Sequence, residues 1–169
     1  MYYKFRDDFA YYEDAARLLE HTRARGIIPN IPREVSFMMG QKINQELELP
    51  IIMELDTRAG KDLMLKMGSM YLVMRDDLVE ELRETGVNNL DTYETIIKNP
   101  FTGENILNYK TVNIIGAIFT ADLTSSDYHA SDSPKQPVIG TILVHKKVKN
   151  QLEGKFPSLK FISVKSKGS

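Results

Sequence analysis

The carboxylates are the residues of this chain best placed to do chemistry. Asp76, Asp77, Glu80, Glu81 and Glu84 crowd into nine residues, Asp91 and Glu94 follow, and Asp122, Asp127 and Asp132 recur beyond them around His129. Two carboxylates or a carboxylate and a His can serve as an acid/base pair or hold a cation. The 122–132 spacing nonetheless lacks the glycine a calcium loop needs at its sharp turn. We read it as a loop in which Asp122 and Ser125 bond the local backbone and end the preceding strand. Ser, His and Asp are all present, but no Gly-x-Ser-x-Gly elbow surrounds any Ser, and Gly103, Gly116 and Gly140 stand alone without a phosphate-binding glycine pattern. The chain has no Cys and only three His, which excludes thiol chemistry, disulfides and Cys-ligated zinc. We therefore expect no catalytic residues, no metal and no cofactor.

Charge is segregated along the chain. Residues 70–104 carry eight acidic and three basic side chains, while 133–169 carry eight Lys against Glu153 alone, within a net charge of only −1. Such asymmetry points to a charged partner. The Lys-rich part could contact phosphates through Lys146, Lys147 and Lys149. Against that, Arg is absent from residues 84–169 and no aromatic stacking set interleaves with the lysines. Tyr2, Tyr3, Phe5, Tyr11 and Tyr12 could stack bases but read more simply as core residues.

Elements must hold these groups in place. The length of 169 residues suits one domain over 1–169, and no apolar run or leader-like segment takes the chain out of the cytosol. Asp7, Asp8 and Gly26 bracket a helix over 9–25 with Phe9, Tyr12, Ala16 and Leu19 on one face. Prolines at 29 and 32 fix an extended loop, 36–43 is ambiguous, 50–55 reads as a short buried strand, and 61–67 as either a helical turn or a connector. A strand over 70–74 then feeds an acidic helix with Leu78, Val79 and Leu82 inward and Asp77, Glu80, Glu81 and Glu84 outward. Asp76 and Asp77 in its first turn complement the macrodipole. Strands over 93–98 and 109–119 should pair antiparallel across a loop holding Pro100 and Gly103. Residues 124–137 read as an exposed loop and the last three as frayed.

The pattern then recurs. Ile142, Leu143 and Val144 match Leu72, Val73 and Met74 at an offset of 70, as Val148 and Leu152 match Leu78 and Leu82, and 159–164 supplies the second strand. We infer a repeated strand-helix-strand unit. The expected fold class is α+β, with a mixed or largely antiparallel sheet, packed helices, and a core of Leu72, Leu78, Leu82, Val112, Ile114, Ile118, Leu143, Val148, Leu152 and Phe161.

The order of elements from Met70 onward resembles the bacterial immunity proteins of polymorphic toxin systems, the family typified by the kin-discrimination nuclease immunity protein of Myxococcus. The matching residues are Tyr71 to Val73, Leu78, Leu82, Gly86 and Val87, then Pro100, Gly103, Tyr109, Val112, Asn113 and Gly116, and finally Asp122, Leu123, Ser125 and Ser126. Residues 70–128 match best, 1–69 form an N-terminal portion, and 138–165 hold the repeat. Two features depart from the family: Arg75 stands where a Ser usually opens the helix, and an upstream Leu-Pro-Asp segment survives only as Gly60-Lys61-Asp62-Leu63. The resemblance implies a cytoplasmic, non-enzymatic protein that binds a cognate toxin, a nuclease by preference, and occludes its active or substrate-binding site. The toxin-facing residues would be Asp76, Asp77, Glu80, Glu81, Glu84, Asp91, Asp127 and Asp132. A nucleic-acid-binding module built on the Lys-rich C-terminal part is the alternative, and membrane binding is not expected.

Overall fold

Period-two burial along the strands decides the layering. The computed structural model describes residues 2–7, 18, 29–37, 41–56, 65–67, 71–115, 121–122 and 142–164. In chain order these form β1 (Tyr2–Asp7), β2 (Ile51–Glu54), β3 (Lys66–Met67), β4 (Leu72–Arg75), α1 (Asp76–Glu84), β5 (Leu90–Lys98), β6 (Asn105–Ile106), β7 (Tyr109–Ile114), β8 (Ala121–Asp122), β9 (Ile142–His145), α2 (Lys146–Lys155) and β10 (Leu159–Val164). A six-stranded mixed sheet runs β2-β5-β7-β4-β3, with β6 also on β5, and its one parallel pair is β2 with β5. A four-stranded sheet runs β10-β1-β9-β8. The α+β expectation holds.

The strand-helix-strand repeat is present. β4 and β9 start 70 residues apart, each runs straight into its helix, and the capping residues Arg75 and His145 adopt nearly the same extended backbone, with φ −67° at both. Leu78 and Leu82 in α1 are buried, as are Val148 and Leu152 in α2. The pairing repeats too. β4 and β5 both lie antiparallel to β7, putting Leu72, Val112 and Thr92 abreast, while β9 and β10 both lie antiparallel to β1, putting Leu143, Lys4 and Ile162 abreast. The central strand follows its unit in the first case and precedes it in the second, because β1 comes from the N-terminal end of the chain.

Alternation along these strands separates two apolar clusters, since successive side chains in a strand point to opposite faces. Leu72 and Met74 of β4 join Leu78, Leu82, Val112, Ile114, Val148 and Leu152 on the helix side. Val73 points the other way, to Ile31, Val35, Phe37, Ile51, Met53, Ile97 and Tyr109. There the Phe37 ring meets Tyr71 and Tyr93 edge-on, at 5.7 Å from each, an arrangement that suits the aromatic quadrupoles. Burial of each such leucine or isoleucine contributes about 1.5–3 kcal/mol.

Of the expected core, eight residues are buried and Phe161 packs partly buried against the helix-side cluster. Ile118 lies outside the described residues. The helix expected over 9–25 also lies outside them except at Leu18, and there the expectation fails. Leu18 is buried and forms an antiparallel bridge with Leu55, so at this residue pairing with the end of β2 displaces helix. Of the strand expected over 109–119, β7 covers Tyr109–Ile114, and residues 116–119 lie outside the described residues. The 124–137 loop is not among the described residues.

One irregularity positions surface residues. Glu94 pairs with Lys110 and Ile97 with Ile106, so two residues of β5 face three (Leu107, Asn108 and Tyr109) on the other chain segment. This is a β-bulge, which re-aims side chains locally. Thr95 bridges the defect: its Oγ accepts from the Thr111 amide at 2.9 Å and lies 2.7 Å from the Thr111 hydroxyl.

Candidate functional site

Helix α1 is the element that carries the acidic surface. Leu78 and Leu82 fasten it to the sheet at zero exposure, Val79 is buried beside them, and Gly86 at φ +99° takes the left-handed turn that ends it. Arg75 makes no side-chain cap. Asp77 does that work instead, accepting the Leu78 amide at 3.0 Å while both its oxygens take the Arg75 guanidinium at 2.8 Å. The Arg75 hydrogen bonds hold the Asp77 carboxyl below the usual carboxylate range, with partial burial opposing them.

The structure divides the eight expected site residues. Asp76 is half-buried and paired with Lys110 at 3.1 Å, and Asp77 is engaged by Arg75. Glu80 and Glu84 are exposed and have no ion-pair partner among the described residues. Asp127 and Asp132 lie outside the described residues.

Glu81 corrects the sequence reading. Glu81 does not project from the solvent face: it is 7% exposed and takes the Lys155 ammonium of α2 at 2.6 Å. The reason is helical period, since residue 81 falls one turn after Leu78 and beside Leu82, at the seam where α2 packs. This bond, reinforced by the nearby charge of Glu84, raises the Lys155 pKa. Asp91 stands with Tyr93 on the opposite sheet face from α1, because odd positions of β5 point toward Phe37. Desolvation and the Asp91 charge raise the Tyr93 pKa. Among the described residues, the outer face of α1 presents Glu80 and Glu84, with Asp77, held by Arg75, on the same stripe.

Lys149 is also removed from the phosphate-contacting set. It pairs with Glu153 at 2.9 Å and sits over the Tyr3 and Phe161 rings at 5.0 and 5.9 Å, a cation–π seat in the fold. Lys146 and Lys147 remain exposed at the start of α2. His145 caps that helix, accepting the Lys147 amide at 3.3 Å. Among the described residues no three His, Asp or Glu side chains converge as a metal set would, and no helix is long and apolar enough to cross a membrane.

Sequence reasoning missed four participants. Lys110 and Lys155 pair with acids distant in the chain, and no local spacing signals them. Phe101 and Leu107 are 47% and 63% exposed. Their signal was available: large apolar residues inside and just beyond a Pro-Phe-Thr-Gly turn, where polar residues are the rule. Comparison with known proteins found no family model and no curated protein that matches the chain.

Proposed function

We propose that this protein is an immunity protein, which binds a cognate toxin, a nuclease by preference, and neutralises it by covering its active or substrate-binding site. The observation that carries this reading is the stripe of Asp77, Glu80 and Glu84 on a helix fixed from beneath by Leu78 and Leu82. A nuclease groove is built to attract phosphate, and carboxylates on a rigid helix present the same charge sign in fixed positions. The similarity in element order from Met70 to Ser126 supports the same reading. No chemistry is required of the protein; an interface of roughly 1,600 Å² would suffice to exclude nucleic acid.

The test is protection. The C-terminal domain encoded by the gene immediately upstream is expressed in a bacterial host with and without this protein. Growth arrest by that domain, reversed by co-expression, is expected. Arrest that persists despite soluble protein in excess would sink the proposal, and binding of duplex DNA by the protein alone would favour the Lys146–Lys147 surface instead.

A further inference from the structure

The segment from Phe101 to Asn108 is a stiff ribbon with two large apolar side chains exposed, Phe101 and Leu107. Its turn is tied five ways: Asn99 Oδ1 accepts the amides of Phe101 at 3.0 Å and Thr102 at 3.3 Å, Thr102 Oγ accepts that of Glu104 at 3.3 Å, the Asn99 amide donates to the Glu104 carbonyl at 2.9 Å, and the Gly103 amide donates to the Asn99 carbonyl at 2.8 Å. Gly103 at φ +78° permits the tight return. Farther on, the bulge turns Leu107 outward. A loop held this firmly loses little conformational entropy on binding, which is how preorganisation raises affinity.

The ribbon is continuous with the acidic stripe. The Asp76 amide donates to the Asn108 carbonyl at 2.9 Å, and Lys110 reaches Asp76 from the adjoining strand. Thus Leu107 sits beside the start of α1, and the stripe of Asp77, Glu80 and Glu84 runs away from it along the helix. Apolar anchors flanked by carboxylates fit a basic protein with an apolar recess, and the same carboxylates repel a nucleic acid.

We propose that Phe101 and Leu107 are the anchors of a docking surface for a basic protein partner, with Glu80 and Glu84 as its steering rim. This rests on the immunity reading and specifies where the toxin sits. Anchors buried at the centre of an interface set the dissociation rate, and rim charges set the association rate.

The experiment measures binding kinetics of the purified upstream-encoded C-terminal domain to wild type, to the Phe101→Ala/Leu107→Ala double variant and to Glu80→Lys/Glu84→Lys. Loss of the anchors should speed dissociation about thirtyfold or more with association within about threefold of wild type. The rim variant should slow association about tenfold at low salt and recover as salt rises. Amide exchange on the wild-type complex, which needs no variant, should show new protection over residues 99–108. Wild-type binding with an unchanged anchor variant and no protection there would overturn this surface while leaving the immunity reading intact. Failure of the wild type to bind would bring down that reading, and this inference with it.

Discussion

Replacing Thr95 by Val should cost more stability than replacing its partner Thr111. Both are buried, at 4% and 0% exposure. The Thr95 hydroxyl donates its only proton to the Tyr93 carbonyl at 2.9 Å, so the 2.7 Å contact with Thr111 Oγ must be donated by Thr111. The same Thr95 oxygen accepts the Thr111 amide at 2.9 Å. Thr95→Val therefore strands the buried Thr111 hydroxyl and takes a second acceptor from the Thr111 amide, which keeps its ladder place opposite Tyr93. An unsatisfied buried group costs about 1–3 kcal/mol, so the substitution should cost about 2 kcal/mol after the hydroxyl reorients. Thr111→Val removes one neutral bond and strands nothing, because Thr95 keeps its amide donor and its carbonyl acceptor, for about 1 kcal/mol. Urea unfolding with unchanged slope reads both differences as midpoint shifts. Equal costs, or a Thr95→Val protein within about 0.5 kcal/mol of wild type, would refute the hydrogen-bond accounting at the bulge. Because the bulge aims Leu107 outward, Thr95→Val should also speed amide exchange over 106–109.

Charge reversal should discriminate among neighbouring acids: Glu81→Lys should lower the thermal midpoint sharply by placing a second cation against Lys155, whereas Glu80→Lys and Glu84→Lys should leave it nearly unchanged. Leu82→Ala and Leu152→Ala, at equivalent places in the two units, should each cost about 3 kcal/mol in chemical denaturation. On the alkaline side, Tyr93 and Lys155 hold their protons more tightly folded than unfolded. Their stabilisation is therefore complete below the ordinary tyrosine and lysine pKa values and is lost as pH rises through the raised ones. Tyr93→Phe should flatten the alkaline decline in stability followed by denaturation across pH. Asp77 behaves oppositely: its stabilisation is present above the ordinary aspartate pKa and lost as pH falls through the depressed folded value. Arg75→Gln should weaken that acid dependence, an effect of under about 1 kcal/mol for so exposed a pair.

The repeat was legible because Leu78, Leu82, Val148 and Leu152 carry helical spacing at a constant offset, and period alone places them inward. The register that makes β1 the centre of the second unit was not legible, since backbone pairing of Tyr2–Asp7 with β9 and β10 leaves no local mark. Nor was the division of the acids. Asp76, Asp77, Glu80, Glu81 and Glu84 look alike in composition, yet Lys110 and Lys155 arrive from 34 and 74 residues away to neutralise Asp76 and Glu81. Counting helical angle from Leu78 would have flagged Glu81 as inward. Asp91 needed only the alternation of β5 to be set apart from α1, whereas the outward turn of Leu107 depended on a bulge that pairing alone creates.

Neutralisation is tested most directly by titrating the upstream-encoded C-terminal domain with this protein while following nucleic-acid cleavage. Cleavage should fall linearly to nothing at an equimolar ratio, with Phe101→Ala/Leu107→Ala requiring a large excess. Undiminished cleavage at saturating protein would contradict neutralisation.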